Sequence, residues 1–217
     1  MLSGRRRALM KALEVGPVLP EGYRRVTYIN VQGSSLSTTH YFPRTKVTFK
    51  VKYTLDASRT SEGYLFGDRA STGVRLAIGT SSKNSTTGLK ATGIIGGLSA
   101  RPTFTPTEPE NMVEATMTVG APDTTSYMEF DGTIDGTHYN VRNEGTTRPY
   151  GLITIKLFDV NGSARFYGKL YKLEVYSNDA LYFNFVPCVR ESDNTPGVYE
   201  VVTGNFYGDK SHITAGG

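Results

Sequence analysis

The sequence predicts an all-β protein, a sandwich of two antiparallel sheets preceded by a short N-terminal helix. Three observations carry that reading. Apolar residues recur at every second position in several short stretches, the period of a strand buried on one face. Gly (24 of 217 residues), Ser and Thr punctuate those stretches, as frequent turns require. Only 20% of residues are charged and 38% hydrophobic, with 14 Tyr, 10 Phe and no Trp, a balance that suits short strands better than helices.

The first segment, MLSGRRRALMKALEVGP, reads as a short helix. Ser3 caps it, Leu9, Met10 and Leu13 form one side, Arg5, Arg6 and Lys11 mostly another, and Gly16-Pro17 ends it. Such a helix is too short to stand alone in water, so its expected role is docking on a scaffold or a neighbouring copy through Arg5, Arg6, Arg7, Leu9, Met10 and Leu13. A frayed tail is the other reading. Lys11 and Glu14 interrupt the apolar residues, which leaves no secretory hydrophobic run, and no apolar span is long enough for a transmembrane helix. Residues 1–22 are thus a basic helix and linker, and 23–217 one β domain of roughly a dozen strands.

Within that domain YRRVTYIN gives an imperfect first strand, expected at a sheet edge. Lys46 to Tyr53 alternates most cleanly, with Val47, Phe49, Val51 and Tyr53 on one face and Lys46, Thr48, Lys50 and Lys52 on the other. GYLFGDR and VRLAIG follow as short strands, with Gly67-Asp68-Arg69 read as a turn. Lys83 to Gly97 and the Pro-rich Arg101 to Glu110 predict a long loop region, where binding surfaces are often placed. Val113 to Val119, Ser126 to Asp131 and Leu152 to Phe158 return to strand; Asp131-Gly132 and Asp135-Gly136 are both hairpin dipeptides. The densest signals close the chain. Tyr171, Leu173 and Val175 alternate, Ser177-Asn178-Asp179 turns, and Leu181, Phe183 and Phe185 resume, with Gly168 marking a bulge and Pro187 expected at the strand's end.

Charge and chemistry exclude several functions. The net charge of +4 is accounted for by Arg5, Arg6, Arg7 and Lys11, which leaves no basic stripe on the body to track phosphates. Cys188, the one cysteine, permits no intramolecular disulfide and reads as a small buried hydrophobe. His40, His138 and His212 are too scattered to suggest a nucleophile's partner. Glu129 and Asp131 have the first spacing of a retaining glucanase motif, whose two carboxylates must lie on one face about 5 Å apart. Asp135 is out of step and Ile134 holds the third position, so no catalytic residue is assigned. Asp159 and Asn161 supply two oxygens, well short of the 6 to 8 ligands that calcium takes; no metal or other cofactor is expected.

The run YKLEVYSNDALYFNFVPCVRESDNTPGVYEVVTGNFY resembles the closing segment of a group of concanavalin A-like, or laminin G-like, jelly-roll domains found in bacteriophage structural proteins and gut-bacterial surface proteins. VTYINVQGSS, LFGDR and LFDVNG resemble earlier family pieces in the same order. The resemblance spans Tyr23 to Gly217 and is specific in its final third, while Ser81 to Pro122 has no recognisable counterpart. It implies a jelly roll, displayed as a non-enzymatic decoration, fibre or baseplate module of a virion, a homo-oligomer or present in many copies, and held to other virion proteins by its N-terminal segment. Its implied task is weak multivalent adhesion to host or mucosal glycans, with neither nucleic acid nor membrane as partner. Assembly would take place in the host cytoplasm. A bacterial carbohydrate-binding module or a divergent glycosidase is the competing implication.

Overall fold

The computed structural model describes residues 16–41, 45–56, 63–69, 75–84, 88–95, 98–100, 102–104, 110–120, 126–145, 154–159 and 165–217. In chain order the strands are β1 (Tyr23–Arg25), β2 (Tyr28–Gln32), β3 (Leu36–Tyr41), β4 (Val47–Asp56), β5 (Gly63–Arg69), β6 (Arg75–Asn84), β7 (Gly88–Ile95), β8 (Leu98–Ala100), β9 (Thr103–Phe104), β10 (Glu110–Val119), β11 (Ser126–Ile134), β12 (Thr137–Gly145), β13 (Thr154–Leu157), β14 (Tyr167–Ser177), β15 (Ala180–Arg190), β16 (Thr195–Glu200), β17 (Asn205–Gly208) and β18 (Ile213–Gly216). They form an 11-stranded sheet along the path β12-β11-β10-β4-β14-β15-β16-β17, joined by β1, β2 and β18, and a 7-stranded sheet along β3-β13-β5-β6-β7-β8, joined by β9. Every ladder between strands is antiparallel. The described residues hold no helix.

Alternation decides which face each strand buries. Val47, Phe49, Val51 and Tyr53 of β4 are at most 2% exposed, and their cross-strand neighbours Val119, Met117, Ala115 and Val113 of β10 are buried with them. Met128 and Phe130 of β11 and Leu173 and Val175 of β14 extend this apolar layer. It meets the small sheet through aromatic rings: Phe66 of β5 lies 5.7 Å from Phe49 and 5.8 Å from Phe185, both edge-on. Such edge contacts suit the ring quadrupole.

The closing hairpin is forked. Asn178 and Asp179 turn it with φ of 46° and 66°, and β14 and β15 pair from Ser177↔Ala180 to Leu173↔Phe185. Beyond that point the strands separate and the N-terminal segment enters the gap, β2 pairing with Tyr167–Leu170 of β14 and β1 with Cys188–Arg190 of β15. β18 then pairs with the other side of β2, so the stretch read as one edge strand, YRRVTYIN, divides in two: among the described residues β1 pairs with β15 alone, as an edge does, while β2 lies inside the sheet between β14 and β18. Pro187 likewise sits inside β15, not at its end. Its carbonyl accepts from the Val26 amide, which places its missing N–H in the fork, between the last β14 pair and the first β1 pair, where no ladder bond is lost.

Other expectations need correction. The predicted loop of residues 83–110 contains the end of β6, all of β7, β8 and β9 and the start of β10; its Gly content hides a meander that β5 templates through its ladder to β6. Gly67-Asp68-Arg69 is ladder, paired with Ala77, Leu76 and Arg75, and not a turn. Asp131-Gly132 is also ladder: a Cβ on Gly132 would lie 2.5 Å from that of Ala115, so the glycine permits close packing of β11 on β10. Asp135-Gly136 is the true hairpin turn, with φ of 50° and 80°. At Gly168 φ is 149° and an added Cβ would lie 2.2 Å from the Thr54 carbonyl oxygen. It marks a close backbone approach, while the register shift falls between Leu170 and Lys172. The predicted helix and its docking residues, like Asn161, lie outside the described residues. The described residues hold eighteen strands, more than the roughly dozen expected, because β1, β8, β9, β17 and β18 are only two to four residues long.

Phe66 bridges the two layers, so Phe66→Ala should cost about 3–5 kcal/mol, whereas Lys50→Ala on the opposite face should stay within about 0.5 kcal/mol. Urea midpoints at constant slope measure both, and equal losses would contradict this assignment of faces.

Candidate functional site on the outer face of the large sheet

Burying one face of β4, β10, β11 and β14 turns their alternate residues outward, and the registers arrange these in rows. Arg142, Glu129, Thr118, Thr48 and Tyr176 form one row; Asn140, Asp131, Thr116, Lys50, Glu174 and Asn184 the next; His138, Thr133, Glu114, Lys52 and Lys172 the third. Neighbours across strands are about 5 Å apart and those along a strand about 7 Å.

Charges on this face are balanced locally. Lys52 and Lys172 stand opposite each other, and each turns to a carboxylate, Lys52 to Glu114 at 2.9 Å and Lys172 to Glu174 at 3.2 Å. Asp131 pairs with His138 at 2.8 Å. Arg142 lies 3.8 Å from Glu129 and 2.6 Å from Glu144, with its guanidinium 3.9 Å from the centre of the Tyr127 ring. The Lys50 ammonium sits 4.7 Å from the centre of the Tyr176 ring, whose hydroxyl donates to Glu174 at 2.8 Å. Between these groups lies a shallow depression of about 200 Å³, lined by Lys50, Val51, Glu114, Ala115, Thr116, Asp131 and Lys172. The result is a broad polar surface of hydroxyls, amides and paired charges.

A second depression, of about 230 Å³, opens beside it where Gly16 and Pro17 cross Tyr171, Lys172, Glu174 and Asn184. Arg25 donates to the Pro17 carbonyl and fixes this crossing. The chain therefore enters the fold over the same face that carries the polar rows.

Glu129 and Asp131 both belong to those rows, with partners Arg142 and Asn140 for the first and His138 for the second. Asp135 is in the turn instead, accepting from the Met112 amide at 2.8 Å and from the Asn111 side chain, and so takes no part with them. Cys188 is buried, and burial pushes its thiol up to about 12. The three histidines occupy separate clusters: His40 beside Phe183 and Thr203, His138 on Asp131, His212 on Asp209. Asp159 is fully buried, and among the described residues no group of three His, Cys, Asp or Glu side chains could hold a metal ion. No helix among them is long and apolar enough to cross a membrane.

Three carboxylates that sequence reasoning missed hold the end segments. Glu200 is fully buried and accepts from the amides of Asn184 and Val202 at 2.9 Å and of Thr203 at 2.6 Å. Asp193 accepts a two-pronged bond from Arg190 and further bonds from Thr195, and these hold its carboxyl well below the usual range. Burial works to raise Asp209, but the Ser211 amide, the Ser34 hydroxyl and the His212 ring outweigh it and leave the group below its ordinary value. For Asp193 and Asp209 the available signal was a short polar side chain two residues before its backbone donor.

A depressed carboxyl contributes stability above its unfolded pKa of about 4, and that contribution disappears as pH falls through the lower folded value. Asp209→Asn should therefore cost about 2 kcal/mol at pH 7, and the gap to the wild type should close on acidification below about pH 4. Thermal midpoints across pH measure this; a gap that is constant with pH would contradict it.

No protein-family model matches the chain, and no curated protein matches it either.

Proposed function

We propose that the chain is a structural component of a bacteriophage virion, a decoration, fibre or baseplate module. In this reading residues 23–217 are a concanavalin A-like, lectin-like jelly roll, and the basic segment with Arg5, Arg6, Arg7, Leu9, Met10 and Leu13 holds it to the particle. The task is weak, multivalent adhesion to host or mucosal glycans. The observation that carries this reading is the row of Asn140, Asp131, Thr116, Lys50, Glu174 and Asn184 crossing six strands of the large sheet. A sugar hydroxyl both donates and accepts, and this row mixes acceptors (Asp131, Glu174), a donor (Lys50) and groups that do both (Asn140, Thr116, Asn184) at about the 5 Å strand spacing. The depression is shallow, so a ligand there stays largely hydrated and each contact is weak. Many copies on one particle convert such contacts into useful avidity. The balance of four cations, Lys50, Lys52, Lys172 and Arg142, by Glu114, Glu129, Asp131 and Glu174 on the three rows argues against nucleic acid as the partner.

A second reading, a divergent glycosidase, draws on Glu129 and Asp131 sharing one face two residues apart. That places their Cα atoms about 7 Å apart along β11, on the face where a retaining motif would need its two carboxylates. Glu129 is paired with Arg142 and Asp131 is hydrogen-bonded to His138, which favours binding over hydrolysis.

Multivalent display of the protein on a glycan array should retain a subset of sugars, and Thr116→Arg, which fills the depression, should abolish retention without altering the fold. Retention by no glycan would reduce the role to particle assembly. Mass spectrometry of purified particles tests the virion assignment, and reducing-sugar release lost in Glu129→Gln would instead support the glycosidase.

A further inference from the structure

The large sheet ends at β12, nine residues long and paired with β11 without a register shift from Ile134↔Thr137 to Ser126↔Gly145. The Tyr127 carbonyl accepts from Gly120, so odd-numbered residues of β11 bond toward β10 and even-numbered ones toward β12. Through the register, Thr137, Tyr139, Val141, Asn143 and Gly145 direct their backbone groups at β11. His138, Asn140, Arg142 and Glu144 direct theirs away from it, and among the described residues no strand pairs with that edge. Natural edges of this length are ordinarily interrupted by proline, a bulge or charged side chains; Thr137–Gly145 has no proline and no bulge, and its two charges, Arg142 and Glu144, pair with each other at 2.6 Å.

We propose that β12 is a self-association edge, pairing antiparallel with β12 of a second copy about a two-fold axis at Val141. The backbone fixes this register. It is the one two-fold alignment in which all four outward residues pair among themselves, Asn140 with Arg142 and His138 with Glu144. Each is then a hydrogen-bonded pair, and Val141 meets its own copy in a non-hydrogen-bonded pair, as antiparallel alternation requires. Charge agrees with geometry. Glu144 faces His138, Arg142 faces Asn140, and no like charges stand opposite each other. The half-buried Val141 side chains, which pack against the core, also meet across the axis. A C2 contact of this kind is closed and leaves no further β12 edge. It would continue the polar rows from one copy into the next, which presents two faces per assembly whatever ligand they take.

Sedimentation and oxidative cross-linking test the proposal. The wild type should sediment as a dimer, and Asn140→Pro, which removes an outward N–H without touching the β11 ladder, should sediment as a folded monomer with an unchanged circular dichroism spectrum. Val141→Cys should cross-link to its own copy under mild oxidation, because its Cα atoms would lie about 4.5 Å apart, within disulfide reach. Asn140→Cys should not, since its copies would be about 8 Å apart, two residues out of register. The wild type, with Cys188 buried, is the blank. A wild type monomeric throughout the micromolar range, a folded dimeric Asn140→Pro, or equal cross-linking at 140 and 141 would overturn it; if Asn140→Pro does not fold, the wild-type sedimentation and the 140-against-141 comparison decide.

Discussion

The contact of Phe66 with Phe49 on one side and Phe185 on the other is the constraint on which the rest of the molecule depends. It fixes which face of the large sheet is inside. Once Phe49 is inside, alternation sends Thr48, Lys50 and Lys52 outward, and the registers carry that choice across β10, β11 and β14. The functional surface is thus a consequence of the core: its rows exist because the buried rows do. A one-residue slip of β10 against β4 would empty both at once.

The forked hairpin explains how so long a sheet is closed at its C-terminal end. β14 and β15 run together only for the part next to their turn, and beyond Leu173 and Phe185 the chain's beginning and end, β1, β2 and β18, fill the space between and beside them. Contacts between residues far apart in sequence therefore dominate this region, as with Ser34 and Asp209. Carboxylates tie the short connections: Asp193 in the loop after β15, Glu200 at the end of β16, accepting from the turn that follows, and Asp209 before β18. The same arrangement brings Gly16 and Pro17 over the outer face, so a partner held by the N-terminal segment would lie beside the polar rows.

Sequence reasoning found what local alternation encodes. The faces of β4, the turn at Asn178-Asp179 and the hairpin at Asp135-Gly136 were legible, since each depends on a handful of adjacent residues. Elements set by distant partners were not. Pro187 reads as a strand end until the fork shows that its missing donor falls in a gap, and Asp131-Gly132 reads as a turn until Ala115 is seen pressed against the glycine. Residues 83–110 read as loop because their glycines and prolines dilute the period of two, while neighbouring strands impose the ladder. Of the candidate site, Glu129 and Asp131 were visible as a pair. The full rows were not, because they are assembled from six strands whose order no local pattern gives.

The central claim is that the two sheets form one cooperative unit through the Phe66 contact, so that the outer face can vary without cost to the core. Native-state hydrogen exchange at increasing denaturant tests it most directly. Amides of β4 and β14 in the large sheet, and the Phe158 amide bonded to the Leu65 carbonyl in the small one, should converge on a single opening free energy equal to that of global unfolding. A separate, lower value for the small sheet, with the large sheet still protected, would show two independently stable layers and contradict the account.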